Sequence, residues 1–471
     1  MAETARRAHP FMPNSVPEIK QQLLDALGVD SVEALFEQIP DAHRLKDTVD
    51  FPPALSSEVE LRRHMLDLLS RNRSCEDNLS FLGGGIWQHH VPAVCTEIMG
   101  RSEFLTPVWG TPSSDHGRNQ AWFEFCSQLG ELVGAEMIGM PVYSWGCAVG
   151  HAIRMAARIT GRSKVLLPRV LDPERRAVID SYCEPPEMPS HIEIVEFAID
   201  PKTGLVDLAD LEARLGAGDV AAVYFETPSW LGMIETGAEQ IVELARKAGA
   251  QSIAGVDPIS LGVLAAPGDY GADLIVGSTQ PLGIPMSCGG GVGGFIASRD
   301  EPRYAYEYPT LMLSIAHTQR EGERGFSMTL MHQSSYGSRE EGKDWTGNST
   351  YLHAIAGAVY MSLLGPEGFQ ELGELIVQRA HYAARLLGDI NGVRIPYPTG
   401  FFKEFVVNFD DTGKSVAEIN AALLERGIFG GIDLSGHFPE LGASALYCVT
   451  EVHNEADLRR LADTLKEVCK Q

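Results

Sequence analysis

Three short stretches of this chain place chemically useful groups at strand ends and at a helix start. GSTQPLGIPMSCGGGVGGFIAS, Gly277 to Ser298, reads as the end of a strand, a turn, a glycine-rich return and another strand. Upstream, YSWGCAVGHAIRMA sets Tyr143 to Gly146 ahead of a helix, and AGVDPIS closes a strand on Asp257. Free backbone N–H groups at a helix start suit a phosphate, which makes Ser144 and Gly146 candidates for an anion cup. A strand-end carboxylate such as Asp257 can pair with a protonated ring nitrogen, or simply cap a turn. The turn after Ser278 is where an amine would stand to grip a carbonyl group covalently. It offers Gln280, which is neutral, and Pro281, which has no usable group.

These features follow one another in the order expected of the pyridoxal-phosphate (PLP) enzymes of fold type I. A lysine about two residues beyond the Gly277-Ser278-Thr279 turn would form the Schiff base. The lysines lie elsewhere, Lys164 at a strand start and Lys247 inside a helix, for example, and none occupies the turn. Trp145 would also crowd a phosphate. Ser144, Gly146, Asp257 and Gln280 are therefore expected to be positions of a degenerate cofactor site, and no catalytic residue is expected in this chain. The Gly289-Gly290-Gly291 run lacks G-x-G-x-x-G spacing before a helix, which argues against a dinucleotide site.

The elements that must position these groups are legible as patterns. KVLLPRVL, HIEIVEFAI, VAAVYFETP, QSIAGVDP, DLIVGST and GGFIAS are short apolar or β-branched runs bounded by turn residues. Helical stretches such as NQAWFEFCSQLGELVG, GHAIRMAARITG and AEQIVELARKAG lie among them. That alternation predicts an α/β fold with a mostly parallel sheet and helices on both faces. Ahead of it, SVPEIKQQLLDALGV, SVEALFEQIP and SSEVELRRHMLDLLSRN predict three amphipathic helices. After it come YLHAIAGAVYMSLLG, FQELGELIVQRAHYAARLLGDI, FFKEFVVNF, SVAEINAALLERGI, ALYCVTEV and NEADLRRLADTLKEV. The expected organisation is an N-terminal helical arm over 1–75, a large PLP-transferase-like α/β domain over 76–345 and a smaller C-terminal α+β domain over 346–471.

Bulk properties exclude several functions. A chain of 471 residues is long enough for two or three domains. A formal net charge of −25 argues against nucleic acid, because phosphate neutralisation needs excess Lys and Arg. No apolar run approaches the roughly 20 residues that span a bilayer, so no membrane partner is expected. The eight cysteines are scattered without metal-ligand spacing, which fits a reduced cytoplasmic protein without a metal site.

Longer stretches bring a family into view. MPNSVPEIKQQLLDALGVDSVEALFEQIP, FLGGGIWQHHVPAV with RSEFLTP, and SLLGPEGFQELGELIVQRAHYAARLL resemble the P-protein of the glycine cleavage system in its two-subunit form. VDPISLGVLAAPGDYGADLIVGSTQPLGIPMSCGGGVGGFIA is the most specific match, and the likeness runs nearly end to end. The resemblance implies a lysine-free subunit whose paralogous partner carries PLP on its own lysine, in an α2β2 assembly. It implies PLP-dependent decarboxylation of glycine, with the aminomethyl group passed to the lipoyl group of a carrier protein.

Three stretches depart from the family pattern: LTPVWGTPSSDHGRNQ, YSWGCAVGH and MHQSSYGSREEGKDWTGNST. They stand at turns and helix starts, where loops carry function, and they motivate two alternatives. One is a repurposed heteromer acting on a different amino acid; the other is a catalytically silent scaffold or regulatory subunit. Candidates for substrate or interface contact are His89 and His90 after GGGIWQ, then Trp109, Asp115, His116 and Arg118. Arg339 and Lys343 are candidates for holding a carboxylate, with solvated surface as the alternative. Adjacent histidines on an extended segment chelate a metal poorly, so none is expected at His89 and His90.

Overall fold

The computed structural model describes residues 16–45, 50–104, 112–183, 185–329, 338–346 and 350–470, with side chains in the third of these stretches from 118 onward. The chain divides into two compact units, Met1–Arg73 and Ser74–Gln471. In the first, α1 (Pro17–Leu27) starts on a proline and stops at Gly28, whose φ of 68° is the left-handed cap that glycine adopts without strain. Ser57 caps α2 (Glu58–Leu69) by accepting the Glu60 N–H. The helix expected over SVEALFEQIP shrinks to one 3-10 turn, Glu33–Phe36, pinned by Ser31 Oγ. Pro40 keeps Ile39 out of helical geometry, and so short a segment cannot recover the cost of nucleation.

The second unit opens with β1 (Leu79–Ser80), α3 (Ala93–Met99), α4 (Pro112–Val133), β2 (Met137–Ile138) and α5 (Trp145–Thr160). There follow β3 (Lys164–Pro168), α6 (Pro173–Cys183), β4 (Glu193–Phe197), α7 (Leu208–Leu215), β5 (Ala222–Glu226), α8 (Ala238–Lys247) and β6 (Gln251–Val256). Then come β7 (Leu274–Ser278), β8 (Gly294–Ser298), α9 (Pro302–Ala305) and an antiparallel hairpin, β9 (Met312–His317) with β10 (Arg324–Thr329). Seven strands form one sheet in the order β2-β8-β7-β6-β5-β3-β4. Only the pairings of β8, to β2 and to β7, are antiparallel. Every residue of β5, β6 and β7 is buried, as expected of strands covered on both faces, whereas edge strand β4 presents Glu193 and Glu196.

The remaining elements are α10 (Tyr351–Gly388), β11 (Glu404–Asn408), α11 (Val416–Leu424), β12 (Ile428–Phe429), β13 (Ile432–Asp433), β14 (Ser444–Cys448) and α12 (Glu455–Lys470). They build a second core under the antiparallel sheet β11-β14-β13. α10 breaks at Gly365 and Pro366 and serves both cores: residues from Tyr351 to Met361 and, beyond the break, Phe369 and Ile376 pack with the large sheet, Ala380 to Leu387 with the small one. β1 pairs in parallel with β12 and Phe81 enters the smaller core, so the chain contributes to that core before building the large sheet.

This topology aims one end of the sheet at a single place. β5, β6 and β7 finish side by side at Glu226, Asp257 and the turn to Gln280, the carboxyl ends where ligands bind in open α/β sheets. The loop into α5 reaches the same end, with Gly294 against it: a Cβ there would stand 2.1 Å from the carbonyl oxygen of Ser144. Gly294→Ala should therefore push the start of α5 off β8, at a cost of about 1–3 kcal/mol measured as a lowered urea midpoint with unchanged slope.

Candidate functional site

The site at the carboxyl ends of β5, β6 and β7 is packed with the protein's own charges. Asp257 follows β6; its Oδ1 accepts the Ile259 N–H at 3.1 Å, closing the turn, and its Oδ2 lies 2.8 Å from Lys403 Nζ. Both side chains are almost wholly buried, 3% and 2% exposed, so their charges answer to each other rather than to water. Lys403 stands immediately before β11, beside the smaller core, and its ammonium is 3.4 Å from the centre of the Trp87 ring. A further Lys403 N–H reaches His89 Nε2 at 3.0 Å. Because an ammonium can only donate, Nε2 accepts, and the imidazole proton on Nδ1 is directed at Glu451 Oε2, 2.8 Å away. The other Glu451 oxygen takes the His90 N–H at 2.6 Å. Burial works against the Glu451 charge, yet the hydrogen bonds from His89 and from the His90 N–H hold its pKa below the usual carboxylate range.

A second knot stands beside the first. Arg175 on α6 pairs with Glu226 at the end of β5, and Tyr224 O–H donates to the same carboxylate at 2.5 Å. The guanidinium carbon stands over the Trp145 indole, 3.7 Å from its centre, at the first turn of α5. Ser144 turns its hydroxyl to the Cys147 N–H at 3.2 Å, and Gly146 fits closely under Val178 of α6. The helix start is therefore capped and roofed by its own residues.

Gln280 is spent structurally. Its Oε1 accepts the Trp87 N–H at 3.1 Å, and its Nε2 donates to the carbonyls of Trp87 at 3.1 Å and Ile284 at 3.2 Å. The amide thereby pins the glycine-rich segment ahead of the histidines onto the sheet. Trp87, Trp145, Arg175, Glu226, Asp257 and Lys403 enclose a cavity of about 10 Å³, room for one water. A substituted pyridine with a phosphate does not fit. The residues that would address it are otherwise engaged: Asp257 by Lys403, the α5 start by Ser144 and Trp145, and the lysine position by Gln280.

The structure thus gathers His89, Ser144, Gly146, Asp257 and Gln280 at one place. His90 contributes its backbone N–H while its side chain faces solvent. Arg118 is buried on α4, its guanidinium 5.0 Å from the Trp122 ring, and Arg339 is exposed on a 3-10 turn; neither lines the cavity. Lys343 holds Glu307 at 2.5 Å and is not directed into this site. Trp109 lies outside the described residues, as do the side chains of Asp115 and His116.

No lysine occupies the turn, which holds Gln280, but Lys403 enters the site from a distant part of the chain, out of register with any turn-based search. Glu451, Glu404, Arg175 and Trp87 were missed with it. The signal available was FFKEFVVNF, where two adjacent charges interrupt a strand of otherwise apolar residues. Both are buried.

A sequence model of the glycine cleavage system P-protein family matches residues 10–465. The chain belongs to that family. It is 35% identical over 98% of its length to the probable glycine dehydrogenase (decarboxylating) subunit 1 of Staphylothermus marinus, covering 99% of that protein. It is 36% identical over 97% of its length to the subunit of the same name from Pyrococcus furiosus, again covering 99% of it. Among solved structures, a crystal structure of glycine decarboxylase (P-protein) of the glycine cleavage system in inhibitor-bound form aligns with a TM-score of 0.84 at 33% identity, over 98% of this chain and 100% of that one. A sphingosine-1-phosphate lyase of Burkholderia pseudomallei aligns with a TM-score of 0.63 at 15% identity, over 92% of this chain and 95% of that one, and shares the fold. The chain has the fold type I PLP-transferase architecture.

Glu404 gives the site a pH signature. It is buried, its Oε1 accepts the Gly84 N–H at 2.6 Å, and burial raises its pKa to about 7, against the pull of that hydrogen bond and of Lys403. The folded protein keeps a proton between about pH 4.5 and 7 that the unfolded chain has released. Stability from this group therefore falls as pH rises through that window and levels off above it, by on the order of 3 kcal/mol. Glu404→Gln keeps an acceptor for Gly84 and cannot ionise. Urea midpoints at pH 5 and pH 8 should fall more for the wild type than for the variant.

Proposed function

We propose that this chain is the lysine-free subunit of a two-subunit PLP-dependent glycine decarboxylase, active only beside a paralogue that carries the cofactor on its own lysine. The single observation that carries this reading is the self-filled cofactor site within a chain that belongs to the P-protein family along nearly its whole length. PLP bound by the partner supplies the electron sink for losing carbon dioxide from an amino acid. This chain contributes no group to that bond-breaking. It supplies a rigid body whose own site needs no ligand to stay folded, and surfaces from which a partner's active site and a lipoyl carrier protein can be reached.

The relatives named as subunit 1 support the pairing and the substrate. An α2β2 assembly, glycine as the amino acid and a lipoyl group as the aminomethyl acceptor form the finer part of the proposal. Co-expression with the paralogue, borohydride reduction and peptide mass mapping tests the division of labour. A pyridoxyl group on a partner lysine and none on this chain is the expected outcome, and a pyridoxyl group on this chain would refute it. Glycine-dependent exchange of labelled bicarbonate by the complex, lost when this chain is omitted, tests the reaction. If the complex forms but another amino acid supports exchange and glycine does not, the substrate assignment fails and the pairing stands.

A further inference from the structure

We infer that Lys403 is an internal substitute for the cofactor's cation. In this fold, the carboxylate after the sixth strand of the sheet faces the place where a protonated ring nitrogen would sit. Here Asp257 occupies that position, and the cation 2.8 Å from it is the Lys403 ammonium, delivered from beside the smaller core. The aromatic surface beside that cation is Trp87, from the segment between β1 and α3. A positive charge and a ring, the two parts of a pyridinium, are thus supplied by two side chains. Each is held by further contacts: Lys403 by His89, and Trp87 by both backbone hydrogen bonds to Gln280.

The groups around this pair originate in separate parts of the chain. Asp257 and Gln280 belong to the large sheet, Lys403 and Glu451 to the surroundings of the smaller core, and Trp87 and His89 to the segment between β1 and α3. Arg379, on the second half of α10, also donates to the Glu451 carbonyl. Removing either partner would leave the other charge buried and unpaired, which is strongly destabilising. The place a ligand's cation would need is therefore filled by the chain itself. This inference rests on the fold and the site, and it stands whether or not glycine is the substrate.

The test is a double-mutant cycle on the full-length chain, co-purified with its partner if the two associate, combined with a chemical rescue. Lys403→Met strands the Asp257 carboxylate and is expected to lower the thermal midpoint by roughly 5–10 °C. Asp257→Asn in the same chain removes the stranded charge and should recover at least half of that loss. If Lys403→Met is insoluble on its own, soluble recovery of the double variant is the supporting result. A double variant that is no more stable or soluble than Lys403→Met overturns the proposal. Lys403→Ala leaves a buried hole beside Asp257 of the shape of the missing propylammonium. Ethylammonium chloride should raise its midpoint saturably, by at least 2 °C over sodium chloride at equal ionic strength, with no such difference for the wild type. Equal response to the two salts overturns the assignment of Lys403 as a replaceable cation.

Discussion

A carboxylate without water must have a positive charge beside it, and the carboxyl end of this sheet holds two such groups. Glu226 and Asp257 are both nearly inaccessible, placed there by parallel strands whose register brings their ends together. Each has recruited a cation from outside the sheet, Arg175 from a helix and Lys403 from beside the smaller core. The rest of the site follows from satisfying those two cations in turn: indoles under them, His89 and Glu451 behind Lys403, Asp172 behind Arg175. What stands where a cofactor-binding chain would hold an exchangeable ligand is thus a closed electrostatic circuit built from permanent parts.

The circuit explains how a chain can belong to an enzyme family and keep the family fold while lacking the central nucleophile. A cofactor contributes to stability as well as to chemistry, because anything bound only by the folded state shifts the folding equilibrium. A subunit that loses it must replace the contacts it made. Lys403, Trp87, Arg175 and Trp145 are that replacement, and each meets a group the fold retains. The scaffold is therefore held by its own residues where a cofactor would stand. YSWGCAVGH is the departure from the family pattern that is visible in full, and its Trp145 lies beneath Arg175, packed against its own subunit.

Much of this was legible in the chain itself, and the reason it was legible is local. Strands buried on both faces announce themselves as apolar runs, and Asp257 and Gln280 could be placed because they follow such runs at short, fixed offsets. Ser144 and Gly146 were found by the same logic at a helix start. Lys403 was not, because its partner lies 146 positions earlier in the chain, at a distance set by how two cores pack. Periodicity reports the face a residue presents and has nothing to say about which distant charge will meet it. The vanished helix in SVEALFEQIP has a nearer cause, the restriction that Pro40 imposes on the residue before it.

The two-sided use of the Gln280 amide bears on any attempt to install a cofactor lysine here. Lysine cannot accept the Trp87 N–H, so Gln280→Lys would orphan a buried donor at a cost of about 1–3 kcal/mol. The new ammonium would also enter a space already neutralised by Lys403. One substitution therefore weakens the chain without opening room for a cofactor, and several positions would have to change together.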